Sequence, residues 1–504
     1  MPGIDVSDNG TISFKGKTIE KILLDDTDLF DKNYTIASKN VPANFIDKIQ
    51  AIEKYHDNRL LKDVENSDKI VLNLSVRDDL KMQRPVGQLY ASGGYENRYS
   101  LQPNLLSMNK KLKLFDVLNM NNTSSSSSLG THFNTLYGEL ESYTDAYVVN
   151  SSFMSYNDGD IERAETRHFF NSLNFVYQPV NRLQITGNIL FNQTRQSFTD
   201  NTRIFYFPDS LLIENTSHIR KKPQTIYGML RMKYDVKENI LLTYSGKYNI
   251  LNQSETNNLF IPEAGLYNIS GRNQFLMNDL EMTIAFRDSS ALVFRTLLLS
   301  NRSSQDFNYS LLENSYPEIE QTTQSATSQY NVLAKYYNKN RDNFFYTLEA
   351  SLNRNKQDMN VNEMIQNETG KAGALDDASF LVNADLTYKI RTSSFSFQSG
   401  IGYRKQQINV SDSICKNDRR FEYSPRLSYQ LTLGQHRFSL SGNYTQGKFS
   451  LLDYMDYFTD YRNRKFGTKV YTYGSTIGYS VSYLYSGPLL QPFFFISYVI
   501  RVCC

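Results

Sequence analysis

Seven short polar turns recur along this chain at nearly even steps. They are Gln178–Asn181, Val236–Asn239, Arg287–Ser290, Asn338–Asp342, Arg391–Ser394, Gly434–His436 and Ser486–Gln491. A long polar stretch lies between each short turn and the next, and alternating apolar and polar residues flank both. Short turn, strand, long loop and strand, repeated with fixed parity, put all long loops at one end of an antiparallel wall. That is the pattern of a transmembrane β-barrel. A soluble sandwich also alternates, but Greek-key links have no reason to keep the parity.

Individual segments carry the same reading. In Arg182–Gln193, Leu183, Ile185, Ile189 and Phe191 share one face, and Gln184, Thr186, Asn188 and Asn192 share the other, with Leu190 the exception. In Ser379–Ile390, Phe380, Val382, Ala384, Leu386 and Tyr388 oppose Asn383, Asp385, Thr387 and Lys389. Asn239–Leu251, Asn273–Phe286 and Arg437–Lys448 repeat the arrangement. Candidate strands number about 16 at a length of ~9–14 residues. Charged residues near mid-strand on the polar face exclude a dry core on that side. The inward set Arg231, Lys233, Arg295, Lys335, Asp385 and Lys389 is expected to line the lumen, either contacting whatever fills it or solvating its wall.

The fold class is therefore an all-β membrane protein, an antiparallel transmembrane β-barrel, preceded by a small α+β unit. Residues 1–80 form that unit and 81–504 the barrel. Thr11–Phe14, Ile19–Leu24 and Lys69–Val76 read as short strands. Asn9-Gly10 and Lys15-Gly16-Lys17 are turns, and Pro42 opens a helical pattern through Ile52. The long loops are roughly Thr194–Pro223, Asn252–Arg272, Ser304–Ser325, Gln357–Ala378, Asn409–Arg420 and Leu451–Arg464. An earlier loop, Asn121–Glu165, holds the serine run Ser124–Ser128. Phe205, Tyr206, Phe207, Tyr337 and Phe344 sit near strand ends, where they suit an interfacial girdle or a ligand-stacking loop.

Composition agrees without deciding. Tyr is 36, Phe 31 and Trp 0, a mixture suited to half-buried strands. Lys plus Arg is 54 against 52 for Asp plus Glu, and no basic run is interleaved with aromatics, so nucleic acid is not a partner. Leu489–Ile500 is the most apolar stretch. It is shorter than the ~20 residues of a spanning helix and is interrupted by Pro492. Five scattered histidines (His56, His132, His168, His218 and His436) and three cysteines (Cys415, Cys503 and Cys504) lack metal-ligand spacing. No nucleophile elbow, phosphate loop or HExxH motif is present, so no catalytic residue, cofactor or metal is expected, and the chain does not read as an enzyme. Asp25, Asp26 and Asp28 form an acidic knot that reads as a solvated loop rather than a cation site.

The first 80 residues resemble the plug domain of a TonB-dependent outer-membrane receptor of the kind common in Bacteroidetes. The residues that carry this are Pro2–Val6, Gly10–Phe14, Lys17–Asp26, Asn40–Ala43, Ile46–Gln50 and Asn66–Leu74. Gly87–Tyr99 and Asn109–Lys113 resemble the first barrel hairpins of the same family. The resemblance implies a 22-stranded barrel with the plug inside, and substrate uptake across the outer membrane gated by the TonB complex. The partners it implies are outer-membrane lipid, TonB and a small substrate such as a siderophore, glycan or peptide. The chain departs from the pattern: it shows no signal peptide and no extension before the plug, and it ends in Val502-Cys503-Cys504 rather than an aromatic strand. The expectation is a receptor fragment truncated at both ends, with an incomplete barrel of about 16 of 22 strands. A barrel with a structural or adhesion role and no active transport is the alternative.

Overall fold

The computed structural model describes the chain apart from residues 1–2, 8–9, 32–33, 66, 79–84, 124–164, 207–210, 262–264, 312–318, 341–342, 364–369, 412–413, 448–449, 459–462, 468–473, 486–492 and 504. The serine run, the Ser486–Gln491 turn, His132, Phe207 and Cys504 lie outside the described residues.

The wall is one antiparallel sheet closed on itself. It contains 18 strand segments. Two of these, Leu211–Lys221 and Gln224–Lys237, share one lane, broken at Lys222-Pro223. Both pair with Leu183–Tyr206 on one side and with Ile240–Ile261 on the other. Proline has no N–H to give the ladder, so the break falls where the backbone must lose a bond anyway. The ring thus has seventeen lanes among the described residues, where an incomplete wall of about sixteen was expected. It closes by pairing Phe493–Cys503 with Val86–Gly93. With an odd number of lanes and antiparallel neighbours elsewhere, these two strands run the same way.

Why these residues make this wall is visible face by face. In Leu183–Tyr206, Thr186, Asn188, Leu190, Asn192 and Thr194 are buried, whereas Ile189 is 52% exposed. Large apolar side chains stay exposed in adjoining lanes, among them Leu230, Tyr248, Leu276, Leu298, Leu352 and Ile401. The opposite face buries Asn249, Asn273, Asn301, Thr327 and Ser351. A wall apolar outside and polar inside is stable only with lipid around it. At the short-turn end, Tyr336, Phe344, Tyr346 and Tyr388 pack as tilted rings with neighbouring centroids 6.0–6.4 Å apart. Gly434 and Arg391 supply positive φ (59° and 41°) for tight hairpins there.

The long loops are mostly strand. Ile240–Ile261 pairs with Gly265–Ala285 without a break from Ile240↔Ile284 to Leu259↔Gly265. At ~3.3 Å per residue, such ladders rise far beyond the ~9–11 residues that cross a bilayer. Polar alternation keeps every ladder bond with water on both sides, so losing the apolar face does not end the strand.

Residues 3–78 fold apart from the wall's ladder. β1 (Ile4–Val6), β2 (Ile12–Phe14) and β3 (Lys17–Thr18) form one small antiparallel sheet. β4 (Lys21–Leu24), β5 (Ile46–Glu53) and β6 (Ile70–Val76) form another, in the order β4-β6-β5. The helix expected from Pro42 through Ile52 is not there. Ala43–Phe45 makes one 3-10 turn, and β5 follows, paired along β6. The isoleucines that looked helical are β-branched, and a free strand edge won them. The helix is α1, Thr35–Asn40, one turn earlier.

Candidate functional site

The N-terminal unit packs on the inner face of the wall. Leu24, Leu29, Phe30 and Ile36 are fully buried in one cluster with Phe115, Phe170, Leu190 and Met229 of the wall. The Phe30 and Phe115 rings meet edge to face at 5.5 Å. On another side Leu61 and Val64 pack on Ala291, Val293 and Tyr337. Tyr337, expected near the lipid boundary, is therefore an inward residue, 7% exposed. Its neighbour Tyr336 takes the outer face.

Polar contacts set the seat. Asn188 donates to the Leu29 carbonyl at 2.7 Å. Asn58 donates to Thr283 Oγ1 at 2.7 Å and to Glu281 Oε1 at 3.2 Å. Arg59 reaches Asp235 at 2.7 Å and the Glu238 carbonyl at 2.9 Å. The Lys113 ammonium donates to the Asp25 carbonyl at 3.2 Å and to Thr27.

The densest point is an ionic cluster. Strand β4 opens on Lys21, the lone charge in Lys-Ile-Leu-Leu, and parallel pairing with β6 buries it to 4% side-chain exposure. Its ammonium meets Asp57 at 2.6 Å, Asp28 at 2.9 Å and Asp31 at 4.0 Å. From the wall, Arg231 reaches Asp31 at 2.8 Å and Asp28 at 3.5 Å, and Lys247 reaches Asp31 at 3.8 Å. Two cations of the wall thus join Lys21 of the unit around three of the unit's carboxylates. A cavity of about 410 Å³ opens beside them, reaching Asp279, Glu281 and Arg295.

Burial by itself would raise the Asp31 carboxyl, but Arg231, Lys247 and Lys21 outweigh it and hold it well below the carboxylate value of 3.8. Asp57 is likewise lowered, Lys21 and Lys69 prevailing over desolvation. Burial would lower Lys21, but Asp28, Asp57 and Asp31 hold it above 10.5. The signs follow by linkage. The lowered carboxylates give stability that is present above their ordinary value and lost as pH falls below it. The raised lysine gives stability present below 10.5 and lost as pH rises beyond it. The seating of the N-terminal unit is expected to be flat with pH between those bounds and to weaken outside them. Limited proteolysis of residues 1–80 across pH checks this, and a change centred near pH 6–7 would contradict it.

The six residues expected to line the lumen do different things. Arg231 joins the ionic cluster, and Lys233 donates to the Asp57 carbonyl at 3.1 Å. Arg295 makes a bidentate pair with Asp279 on its own wall, at 2.8 and 2.7 Å. Lys335 pairs with Glu349 at 3.5 Å and lies 5.0 Å from the Tyr337 ring centre. Asp385 is half-buried two residues along from Asn383. Lys389 lies 5.6 Å from the Phe345 ring. Lys21, Asp31, Asp57 and Lys247 were missed. The available signal was Lys21, a lysine inside an otherwise apolar strand. Of the acidic knot, Asp28 enters the cluster. Asp25 instead accepts from the Val76 N–H at 3.0 Å, and Asp26 from Asn73 Nδ2 at 2.6 Å. No group of side chains suited to a metal occurs among the described residues.

A second element narrows the far end of the ring. Residues 451–458 turn inward, burying Leu451, Tyr454, Met455 and Tyr457 on Met359, Val361, Leu375, Ile408 and Val410 of the wall. Gln321 grips its backbone twice, donating to the Phe458 carbonyl at 3.1 Å and accepting from its N–H at 2.7 Å. Arg464 pairs with Glu363 at 2.9 Å, and Asp456 with Lys371. The segment presses on Gly373, where a Cβ would lie 2.7 Å from Met455 Sδ and 2.9 Å from Leu451 Cδ1. Gly373→Val is expected to push the segment off the wall at a cost of ~1–3 kcal/mol. Faster protease cleavage between Leu451 and Gly467, with the barrel intact, is the readout.

No family model matches the sequence, and no curated protein matches it. Among solved structures, the chain is similar to the ferric yersiniabactin uptake receptor FyuA from Yersinia pestis. The TM-score is 0.52 at 12% identity, over 100% of this chain and 75% of that one. It is also similar to the siderophore receptor PiuA from Acinetobacter baumannii, with a TM-score of 0.51 at 8% identity over 99% and 75%. At such identities the likeness is one of fold.

Proposed function

We propose that this chain is an outer-membrane uptake receptor of the TonB-dependent type, in which residues 1–80 are a plug and 81–504 the barrel that it fills. The observation that carries this reading is the ionic cluster joining Lys21, Asp28, Asp31 and Asp57 to Arg231 and Lys247. A barrel built only for adhesion has no need of a separate folded unit held in its ring by charge. The fold shared with FyuA and PiuA, an uptake receptor and a siderophore receptor, supports the same reading. The reaction is gated translocation with no covalent step. The plug is displaced by work done through the TonB complex, and a siderophore, glycan or peptide passes along the cavity beside the cluster.

Polar seating suits displacement. The apolar contacts around Phe30 and Phe115 are dry, but the hydrogen bonds and ion pairs beside the cavity can be replaced by water as the unit moves. The test is uptake of labelled substrates by cells expressing this chain with an added export signal, in strains with and without TonB. Uptake that requires TonB is the expected result. Equal uptake in both strains, or surface adhesion with no uptake, would overturn the proposal.

A further inference from the structure

The inner face of the wall is of two kinds, and the N-terminal unit is seated on one of them. Its contacts begin in Val86–Gly93, where Gln88 donates to Asn44 Oδ1 at 3.3 Å. They continue through Asn188 and Arg231 and reach Tyr337. Along those lanes inward side chains such as Asn188, Asn249, Thr283 and Asn301 are buried. Beyond Lys371–Ile390 the inner face changes character. Gln398, Ser424, Arg426, Asn443 and Thr445 are exposed. They alternate with Leu427, Tyr429, Phe438 and Leu440, the exposed apolar residues of the lipid face, so their own exposure is to the inside of the ring.

The open arc is lined unlike the seated side. One rung of the ladder runs Thr387, Ser396, Ser428, Ser441, Ser480 across five consecutive lanes, each residue directly opposite the next. The Ser396 and Ser428 hydroxyl oxygens are 2.5 Å apart, and those of Ser441 and Ser480 are 2.6 Å apart. These hydroxyls partner one another, so they need no folded unit to satisfy them. The next rung, Gln398, Arg426, Asn443, Gly478, is polar or small as well. The seated side offers Phe115, Phe170, Met229 and Arg231 instead. A folded unit is held by apolar surface that it dehydrates or by a charge that it meets, and a row of serines supplies neither. Short hydroxyl side chains do suit a water-filled path. They leave room beside the backbone and trade hydrogen bonds with passing water or solute. At ~4.8 Å per lane the five lanes make an arc of about 24 Å, broader than a hydrated ion or a monosaccharide. Residues 451–458 rest on Leu375 and Ile408, above the first two lanes of the arc, and leave Ser424, Asn443 and Thr445 exposed.

We propose that the ring conducts ions and small uncharged solutes along this hydroxyl arc while the N-terminal unit stays seated. The activity is passive diffusion. It is separate from gated uptake and needs no TonB, and a substrate too large for the arc still waits for the unit to move.

The test uses the full-length chain, refolded in detergent and inserted into planar bilayers and liposomes with no TonB present. The expected result is a steady ion conductance, with liposomes that swell in arabinose but not in a large dextran. In a background with Cys415, Cys503 and Cys504 replaced by serine, Ser441→Cys is modified by a bulky thiol reagent after folding. Modification should cut the conductance several-fold. A positively charged reagent should shift ion selectivity toward anions relative to a negatively charged one. Leu440→Cys, on the lipid face of the same strand, should conduct as before when treated alike. Folding is read from heat-shifted migration, and Ser428→Cys serves in place of Ser441→Cys if that variant does not fold. Joining the unit to the wall through Asn58→Cys/Thr283→Cys should leave the conductance in place, because the arc lies in other lanes. Folded protein that does not conduct overturns the proposal, as does conductance indifferent to modification on the serine rung. Conductance lost on joining Asn58 to Thr283 also overturns it, since the path would then run beside the ionic cluster. Uptake of a large substrate with and without TonB is measured separately, so failure here leaves the gated reading standing.

Discussion

Replacing Asp31 with alanine is expected to unseat the N-terminal unit without unfolding the barrel. Asp31 accepts from Arg231 at 2.8 Å, and its side chain is 8% exposed. Lys247 and Lys21 lie within 4.0 Å of it as well. Removing this carboxylate takes from the buried Arg231 its nearest anion, leaving Asp28 at 3.5 Å, and from Lys247 the carboxylate at 3.8 Å. Breaking a buried pair from one side costs about 3–5 kcal/mol, mostly through the charge left uncompensated. That charge sits at the boundary between unit and wall, so the cost falls on seating. In reconstituted bilayers, Asp31→Ala should raise open-channel conductance, and proteases should cut residues 1–80 faster, while the barrel keeps its heat-resistant migration. Asp31→Asn keeps the shape and part of the hydrogen bonding and should lie between the two. Arg59→Ala makes the contrast. Its pair with Asp235 is half-exposed, worth ~0.2–1 kcal/mol, and its loss should leave conductance near the wild-type level. Equal effects from Asp31→Ala and Arg59→Ala would show that the cluster does not hold the unit.

The second large effect follows from fixing the unit in place. Asn58, the residue after Asp57 of the ionic cluster, and Thr283 touch at 2.7 Å across the boundary. In a background with Cys415, Cys503 and Cys504 replaced by serine, Asn58→Cys/Thr283→Cys can be joined by a short thiol-reactive crosslinker with a reducible bond. Joined, the protein should lose uptake down to the level seen without TonB, and reduction should restore it. The single-cysteine variants treated alike should transport normally. Full uptake with the crosslink complete would mean that the unit stays seated while substrate passes, and the gating reading would fall.

The sequence exposes the wall far better than it exposes the site. Period-two alternation in Arg182–Gln193 and Ser379–Ile390 fixes which side chains face lipid, because each strand makes that choice locally and the structure follows it residue by residue. Polar strand extensions such as Thr194–Tyr206 were illegible as strand, since both their faces are wet and no apolar pattern marks them. Ile46, Ile49 and Ile52 are spaced for one helix face, and only pairing with β6 makes Ile46–Glu53 a strand, which leaves Ile49 44% exposed. Arg231 and Lys233 were legible as inward cations, but nothing local says that Arg231 meets Asp31, 200 residues away.

What the sequence determined by itself is a barrel with a lipid-facing exterior, a polar interior and its short turns at one end. Backbone bonding in a membrane leaves no other way to place so many alternating strands. Tertiary structure alone decided that the described strands close into a ring of seventeen lanes, that Lys21 is buried among three carboxylates, and that Arg167 stands opposite Arg195. Those outcomes depend on register between segments distant in the chain, and register is fixed only when whole faces pack together.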